Sequence, residues 1–364
     1  MRWLKSAAAL LLALGLIGGG AAYYGWQRLN TYMEAPGPNR QETAVLLPRG
    51  ASLQAIVATL EERDVLTNGA WFRIYVRLNN RDRLLKAGEY SFPPRVTPNG
   101  VLELLESGKT MAHRLTIAEG LTVPQIYQIL ERNEVLVGAL PEPPAEGSLM
   151  PETYFFVRGD TRKAMVQRMQ ASMQEAIDEM WPDRQPELPF ETIEEAITLA
   201  SIVERETLVN DEDPEVAGVF VNRLRRGIRL QSDPTVIYAV TDGTGDLEGP
   251  IRQSHLRHES PYNTYLVEGL PPGPIGNPGR SAIAATLNPA ETENLFFVAD
   301  GTGRHRFAKT NEEHAANVRH WRRIERGEVR PEPVKPKRRP PDEAEPVSSS
   351  AATDDPPEPA ASTP

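Results

Sequence analysis

The chain of 364 residues contains no cysteine, only six histidines and one short basic run, Lys335–Arg339. The absence of cysteine excludes disulfides, thiol nucleophiles, zinc fingers and cysteine-ligated clusters. A net charge of −10, from 40 Lys and Arg against 50 Asp and Glu, argues against nucleic acid as a partner. Because no His-Glu-x-x-His or comparable spacing is present, we expect no metal site.

Only one uncharged apolar stretch is long enough to span a bilayer, and it lies near the N-terminus. It runs from Ser6 to Gln27, follows Arg2 and Lys5, and ends in aromatic residues. About 20 helical residues cross a hydrocarbon core, and the basic residues before them favour a cytoplasmic N-terminus. A cleaved signal peptide is the alternative, although no small-x-small cleavage site separates the apolar run from the aromatic residues. We therefore predict a cytoplasmic stub and transmembrane anchor over residues 1–28.

Large apolar residues are nearly absent from the C-terminal segment, which is rich in proline, glutamate, serine and alanine. Ten of the 33 prolines fall between Pro331 and Pro364. Such a segment cannot bury enough surface to offset its chain entropy. Residues 328–364 are therefore predicted to form a disordered tail.

Two stretches in the first half of the chain, Val45–Leu66 and Leu115–Leu136, repeat one another. The matched pairs are Gly50 with Gly120, Ser52 with Thr122, Ile56 with Ile126 and Leu60 with Leu130. Each copy predicts a strand, a glycine turn and a capped amphipathic helix. A further strand is predicted after each copy, at Gly88–Phe92 and at Pro151–Phe156. A strand–helix–helix–strand unit of this size resembles the LysM-like module, a glycan-binding fold, and a structural spacer is the alternative.

Two glutamates near the end of a predicted helix lie among apolar residues. Thr192 and Glu195 form a capping box that opens this helix. Glu204 and Glu206 fall within or at the edge of its apolar face. A carboxylic acid in apolar surroundings has a raised pKa and can act as a general acid near neutral pH. The alternative is that each carboxylate is held by a local arginine at the helix end, and periodicity alone does not choose between the two.

Amide, aromatic and proline–glycine phrases follow this helix. A second helix, with Asp213 as N-cap and Pro214 in its first turn, is predicted to end at Gly227 and to carry Arg223 on its apolar side. Asn and Gln side chains suit the hydroxyl and acetamido groups of a polysaccharide, and Tyr rings stack on sugars. The phrases are Arg229–Tyr238, Ser260–Tyr265, Gly269–Gly279, Leu295–Ala299 and His305–Phe307.

From about Leu115 to Trp321, the chain resembles the YceG-like family of endolytic murein transglycosylases. The matching phrases, in chain order, are Ala200–Glu206, Val219–Leu224, Leu230–Thr235, Tyr262–Tyr265, Gly269–Pro274 and Phe297–Ala299. The predicted anchor and LysM-like module fit the same architecture. Two departures are small, since Ile228 stands where methionine is usual and the residue after His314 is alanine where asparagine is common.

The resemblance implies an α+β protein with an N-terminal transmembrane helix, a LysM-like module over 41–112 and a YceG-like catalytic domain over 113–327. The first part of that domain would carry the second LysM-like copy. The implied activity is that of a lyase without cofactor, which cleaves the bond between N-acetylmuramic acid and N-acetylglucosamine within peptidoglycan strands and leaves 1,6-anhydro ends. Such an enzyme needs one crucial carboxylate, because the 6-hydroxyl of the sugar replaces water as nucleophile. The resemblance assigns that role to Glu206.

Residues around this glutamate are candidates for binding the glycan. The candidates are Asn222, Arg223, Gln231, Asp233, Tyr262, Asn263, Tyr265 and His305. We expect Arg223 to be offset from Glu206, because direct contact would lower the pKa of the acid. Asp233 is either a loop-capping carboxylate or a second catalyst.

The same resemblance implies a place in cell-wall synthesis at the bacterial inner membrane. The partners would be peptidoglycan strands, the membrane and peptidoglycan synthases, with the catalytic domain on the periplasmic side and termination of growing strands as the outcome. The alternative is a membrane-anchored scaffold that binds peptidoglycan without cleaving it.

Overall fold

The N-terminal helix α1 (Arg2–Glu34) opens a computed structural model that describes residues 2–207, 209–245 and 247–331. Its last turns bury Leu29 and Met33, so the helix continues beyond the predicted anchor and packs on the unit that follows. Earlier in the helix, apolar side chains such as Leu16 and Ile17 are exposed. No helix in the described part of the chain is both long enough and apolar enough to cross a membrane. The anchor therefore stays a prediction, and the predicted tail lies outside the described residues from 332 onward.

The first repeat forms a small α/β unit with its own core. Its elements are β1 (Thr43–Leu47), α2 (Leu53–Glu62), α3 (Gly69–Leu78), β2 (Gly88–Phe92) and α4 (Pro98–Ser107). The two strands are antiparallel, and Thr43 pairs with Phe92. Alternate strand residues, including Val45 and Tyr90, are buried against the helices, as the two-residue period of a strand requires. The strand–helix–helix–strand order predicted for this copy is confirmed.

The second repeat begins in the same way as the first. Its elements are β3 (His113–Thr116), α5 (Val123–Arg132) and β4 (Thr153–Phe156), with α6 (Arg162–Met180) after them. Gly50 and Gly120 adopt φ angles of +77° and +74°, which glycine tolerates without steric cost. Ser52 and Thr122 are the N-caps of the two ten-residue helices. The local equivalence of the two copies is therefore confirmed.

The second copy departs from the expected strand–helix–helix–strand order. Residues 133–152 between α5 and β4 contain no helix. This stretch holds Pro141, Pro143 and Pro144, which lack the amide hydrogen and restrict the preceding residue away from helical angles. The prediction of two helices is therefore wrong for this copy, whereas the identification of either copy as LysM-like stays a prediction.

A cluster of one acid and two bases connects the two repeats. Glu89 of β2 contacts Nε2 of His113 at 2.7 Å and accepts a hydrogen bond from Nε of Arg158 at 2.9 Å. The carboxylate is well shielded from solvent, with 13% of its side chain exposed. The repeats therefore contact each other through a charged cluster in addition to the chain that joins them.

The rest of the described chain is mainly helical. Its elements are α7 (Ile193–Glu206), α8 (Asp213–Arg225), α9 (Asp233–Val240), α10 (Gln253–Leu256), α11 (Arg280–Leu287), β5 (Phe296–Ala299), β6 (His305–Ala308) and α12 (Asn311–Glu325). Helices α7, α8 and α11 pack on one another, and their apolar faces share one core. Together with the three two-stranded antiparallel sheets formed by the described residues, they confirm a mixed α+β fold. The boundaries predicted between domains stay predictions.

Helix ends in this part follow the local signals closely. The capping box of Thr192 and Glu195 is present at the start of α7. Helix α8 has Glu212 as its N-cap, so the prediction that Asp213 fills this position is wrong by one residue. The helix ends at Arg225, and Gly227 follows with a φ of +64°, as expected for glycine just beyond a helix end.

Candidate active site

Glu206 is the last residue of α7, and its carboxyl group meets the segment that precedes α9. The hydroxyl of Ser232 donates a hydrogen bond to Oε1 of Glu206 at 2.5 Å. Ser232 is buried, and the residue before it, Gln231, adopts a left-handed backbone conformation with a φ of +50°. This turn, held by a backbone hydrogen bond from Gln231 to Thr264 at 3.1 Å, brings the hydroxyl to the acid.

The surroundings of Glu206 favour its protonated form. Burial raises its pKa to about 7, against the hydrogen bond from Ser232, which lowers it. The negative charge of Asp233 raises the pKa further, and the positive charge of Arg223 opposes that effect. An acid with a pKa near the working pH can both give and take a proton in one reaction cycle.

A polar cavity of about 430 Å³ lies beside Glu206. Its lining residues are Glu206, Arg223, Leu230, Gln231, Asp233, Tyr265, Phe296, Phe297, Asn311 and His314. The cavity therefore combines an acid, amide groups and aromatic rings, which are the groups that bind and protonate a sugar. In the part of the chain that the structure describes, no group of three or more His, Asp or Glu side chains is arranged to hold a metal ion.

Arg223 is offset from the acid, as expected. Its Nε donates to the carbonyl oxygen of Leu295 at 2.6 Å, and Nη1 donates to the carbonyl oxygens of Arg229 and Leu230 at 3.2 and 2.8 Å. These described contacts include no ion pair within 4 Å between Arg223 and Glu206. The guanidinium group therefore holds two chain segments at the cavity while leaving the pKa of the acid raised.

Asp233 and Tyr265 form a second polar pair at the cavity. The hydroxyl of Tyr265 donates a hydrogen bond to Oδ1 of Asp233 at 2.6 Å. Burial and this contact raise the pKa of Tyr265, so the phenol keeps its proton. Asp233 is exposed in the first turn of α9, where a carboxylate is favoured by the helix dipole. This hydrogen bond comes from a side chain, and Asp233 also borders the cavity, so the choice between a loop-capping carboxylate and a second catalyst stays a prediction.

Glu204 lies on another side of α7 from Glu206 and has a different partner. Its Oε2 accepts a hydrogen bond from the backbone N–H of Gly279 at 2.9 Å, at the start of α11. Burial raises its pKa to about 7 as well. Since Glu204 does not line the cavity of Glu206, its contacts fit a structural connection between α7 and α11. In the described part of the chain, the hydrogen-bond partners of the two glutamates are Gly279 and Ser232, which does not match the alternative of carboxylates held by a local arginine.

Four of the predicted glycan-binding residues lie outside this cavity. The amide of Asn222 donates to the carbonyl oxygens of Thr292 and Asn294, and the amide of Asn263 donates to two backbone carbonyl oxygens of its own loop. Tyr262 packs on Tyr238 with ring centroids 4.8 Å apart.

The fourth of these residues, His305, contacts Oε2 of Glu212 through Nδ1 at 2.9 Å. The structure thus brings together five of the predicted residues, which are Glu206, Arg223, Gln231, Asp233 and Tyr265. For the other four, a role in binding the glycan stays a prediction.

Several residues at the site were not among the predicted site residues. They are Ser232, Phe296, Phe297, Asn311 and His314. Ser232 lies in the segment Arg229–Tyr238 and the two phenylalanines lie in Leu295–Ala299, both of which the sequence marks as possible parts of a glycan groove. Asn311 and His314 are three residues apart near the start of α12, a spacing that places them on one helix face. That spacing was the available signal for them, but it does not indicate which side of the protein the face meets.

The fold and the site define a modular α+β protein in which a carboxyl group of raised pKa borders a polar cavity. The sequence model of the YceG-like family matches residues 45–320. The chain therefore belongs to the YceG-like family.

Proteins named endolytic murein transglycosylase are among its relatives. One, from Bacillus subtilis strain 168, is 30% identical in an alignment of 335 residues that covers 82% of this chain and 89% of that protein. Another, from Streptococcus pneumoniae serotype 2, is 28% identical over 359 residues and 85% of this chain, and the match spans 64% of its own length. A crystal structure of a yceG-like protein from Listeria monocytogenes is 30% identical, with a TM-score of 0.49, and the alignment covers 76% of this chain and 99% of that one.

Proposed function

We propose that this chain is an endolytic lytic transglycosylase that cleaves peptidoglycan glycan strands. The observation that carries the proposal is Glu206, a carboxylic acid with a pKa of about 7 that borders a polar cavity and accepts a hydrogen bond from Ser232. The names of the relatives in Bacillus subtilis and Streptococcus pneumoniae support the substrate and the internal position of the cut.

Glu206 acts first as an acid and then as a base. Its proton passes to the glycosidic oxygen between N-acetylmuramic acid and N-acetylglucosamine, and the bond from that oxygen to C1 of the muramic acid breaks. The 6-hydroxyl of the same muramic acid then attacks C1, and its proton returns to the carboxylate. The product carries a 1,6-anhydro ring, no water is consumed, and the enzyme regains its starting protonation state.

The cavity suits a mechanism with one acid–base carboxylate. Ordinary glycosidases use two carboxylates, one of which serves as nucleophile or activates water. Asp233 also lines this cavity, but its Oδ1 already accepts a hydrogen bond from the hydroxyl of Tyr265. Its negative charge helps to keep Glu206 protonated. A supporting role for Asp233 therefore fits better than a role as nucleophile.

The N-terminal helix anchors the enzyme to the inner membrane, with the remainder on the periplasmic side. Exposed apolar side chains along α1, among them Leu11, Leu16 and Ile17, support this part of the proposal, because water disfavours such a surface. The LysM-like first repeat would hold the glycan, and peptidoglycan synthases would supply nascent strands whose growth the cut terminates. Extraction of membranes with alkaline carbonate tests the anchor, since an anchored chain stays in the pellet.

A direct test uses the full chain in mild detergent and purified peptidoglycan strands. Mass spectrometry should find anhydro-muramyl ends after incubation, and Glu206→Gln should lower their rate of release by about 10²- to 10⁴-fold, the usual contribution of a general acid–base group. Glu194→Gln is the matched control, because Glu194 is exposed in the first turn of the same helix. Strands that are bound without any anhydro product would support the scaffold alternative instead.

A further inference from the structure

His314 lines the Glu206 cavity and has no role in the proposed chemistry. It lies on α12, three residues after Asn311, and both residues border the cavity. Its ring stacks on Phe296 with centroids 5.0 Å apart and an interplanar angle of 21°. The stacking fixes the plane of the imidazole, so the ring nitrogens have fixed directions relative to the cavity.

The two ring nitrogens of His314 are in different surroundings. Nδ1 is buried and has no hydrogen-bond partner. Nε2 is not among the buried unpartnered atoms of the described residues, and no protein group there bonds to it. It is therefore the nitrogen that keeps access to the cavity. A buried N–H without a partner carries a full desolvation penalty, and an imidazolium would place a hydrogen on both nitrogens.

The surroundings therefore favour a neutral imidazole. Burial lowers the pKa of His314, and the positive charge of Arg223 lowers it further. In the neutral ring, a hydrogen on Nε2 leaves the buried Nδ1 without a hydrogen that would need a partner. The imidazole then presents a neutral N–H donor to the cavity.

We propose that Nε2–H of His314 donates a hydrogen bond to an uncharged oxygen of the glycan, a hydroxyl or an acetamido carbonyl, and so positions the sugar beside Glu206. This inference rests on the proposed function and adds a substrate-binding residue to the same cavity. A neutral donor suits this place because a cation there would lower the pKa of the nearby acid and oppose proton donation.

Two substitutions of His314 separate its ring from its hydrogen bond. His314→Phe keeps an aromatic ring to stack on Phe296 but removes both nitrogens, and His314→Gln restores an N–H donor. With purified glycan strands as substrate, we expect His314→Phe to raise KM by about tenfold, the effect of one hydrogen bond, and to change kcat less. His314→Gln should recover part of this loss. His320→Gln is the matched control, because His320 lies on the same helix and also has a buried, unpartnered ring nitrogen.

A binding measurement distinguishes failure of this inference from failure of the proposed function. In a Glu206→Gln background, which needs no turnover, His314→Phe should weaken the binding of the same strands by a similar factor. An unchanged KM and an unchanged dissociation constant for His314→Phe would overturn the inference, as would an equal rise in KM for His320→Gln. If His314→Phe fails to fold, a wild-type KM for a folded His314→Ala also overturns it. A wild-type chain that makes no anhydro product, yet loses binding on His314→Phe, would contradict the proposed reaction and leave the contact supported.

Discussion

The hydroxyl of Ser232 donates its hydrogen to Oε1 of Glu206 over 2.5 Å. The two residues belong to different segments, since Glu206 ends α7 and Ser232 precedes α9. A hydrogen bond to a carboxylate stabilises the charged form, so this contact offsets part of the effect of burial. The acid is thereby held near the pKa at which it can both donate and accept a proton.

Removal of the Ser232 hydroxyl should shift the pH dependence of activity. In Ser232→Ala the pKa of Glu206 rises further above its usual range, because the bond that lowers it is lost. The protonated acid then persists to higher pH, and the alkaline limb of kcat/KM should move up by about one pH unit. A pH–rate profile of anhydro-product release measures this shift. Ser254→Ala, at an exposed position on α10, should leave the limb unchanged, and a shift to lower pH in Ser232→Ala would contradict the assignment.

Glu204 should be needed for its hydrogen bond and not for its charge. Glu204→Gln keeps an oxygen that accepts from the N–H of Gly279, whereas Glu204→Leu leaves this N–H without a partner. We expect Glu204→Leu to lower the free energy of unfolding by about 1 to 3 kcal/mol, the usual effect of an unsatisfied buried donor. Glu204→Gln should stay within about threefold of wild-type activity. Urea unfolding and product release measure the two effects, and a Glu204→Gln variant as inactive as Glu206→Gln would contradict this separation of roles.

Glu146 should make the folded state less stable as the pH rises. Its Oε1 accepts from the backbone N–H of Val123 and from Nδ2 of Asn277, and burial raises its pKa to about 7. The folded state therefore holds a proton that the unfolded chain loses near pH 4.5, the usual value of a glutamate. The stabilisation from this proton is complete below about pH 4.5 and is lost as the pH passes through about 7.

Replacement of Glu146 by glutamine tests this linkage. Because glutamine resembles the protonated acid, Glu146→Gln should match wild-type stability near pH 5 and exceed it near pH 8, by on the order of 1 kcal/mol. Urea midpoints of the full chain at the two pH values measure the difference. Glu142→Gln, at an exposed position in the same loop, should show no such dependence. A Glu146→Gln variant that is less stable than wild type at pH 8 would refute the raised pKa.

The contact between the two repeats should depend on Glu89. Burial raises the pKa of this carboxyl, but Arg158 and His113 outweigh that effect, and the net pKa is lowered. Its contribution to stability is therefore present above the usual pKa of a glutamate and is lost as the pH falls through the lower value of the folded state. Glu89→Gln should lower the free energy of unfolding by about 1 to 2 kcal/mol at pH 7.

Acid should remove this difference between Glu89→Gln and wild type once Glu89 is protonated in the folded state, because both then carry an uncharged side chain. Urea unfolding at pH 7 and at successively lower pH values follows the loss of the difference. Glu131→Gln is the control, since this exposed side chain lies outside the cluster. A loss of stability that is equal at all of these pH values would show that charge plays no part in the contact.

Local signals predicted the secondary structure well where the cause lies within a few residues. The glycine turn at Gly120 and the capping box at Thr192 could both be predicted from the sequence, because neighbouring residues decide a backbone angle and a helix cap. The second helix of the second repeat was wrongly expected by analogy with the first. In the second repeat, the prolines between residues 141 and 144 disfavour a helix.

The composition of the site was only partly predictable. Asn222 and Arg223 are neighbours on α8, and about 100° of helix rotation separates them. Arg223 meets the cavity, whereas Asn222 donates to the carbonyl oxygens of Thr292 and Asn294. The sequence showed that both are polar residues on a helix that follows the one carrying Glu206. It did not indicate which face would meet the cavity, because that depends on how α8 packs against its neighbours.

The sequence by itself determined the repeated strand–turn–helix pattern and the placement of Glu206 on an apolar helix face. Its short sequence motifs also determined the resemblance to the YceG-like family. Each of these depends on residues that are close together in the chain or on the residue types within a short motif. Only the tertiary structure decided that Ser232 bonds to Glu206, that Gly279 holds Glu204, and that His314 borders the cavity. These contacts join segments far apart in sequence, and their distances are set by the packing of whole helices, which no local pattern encodes.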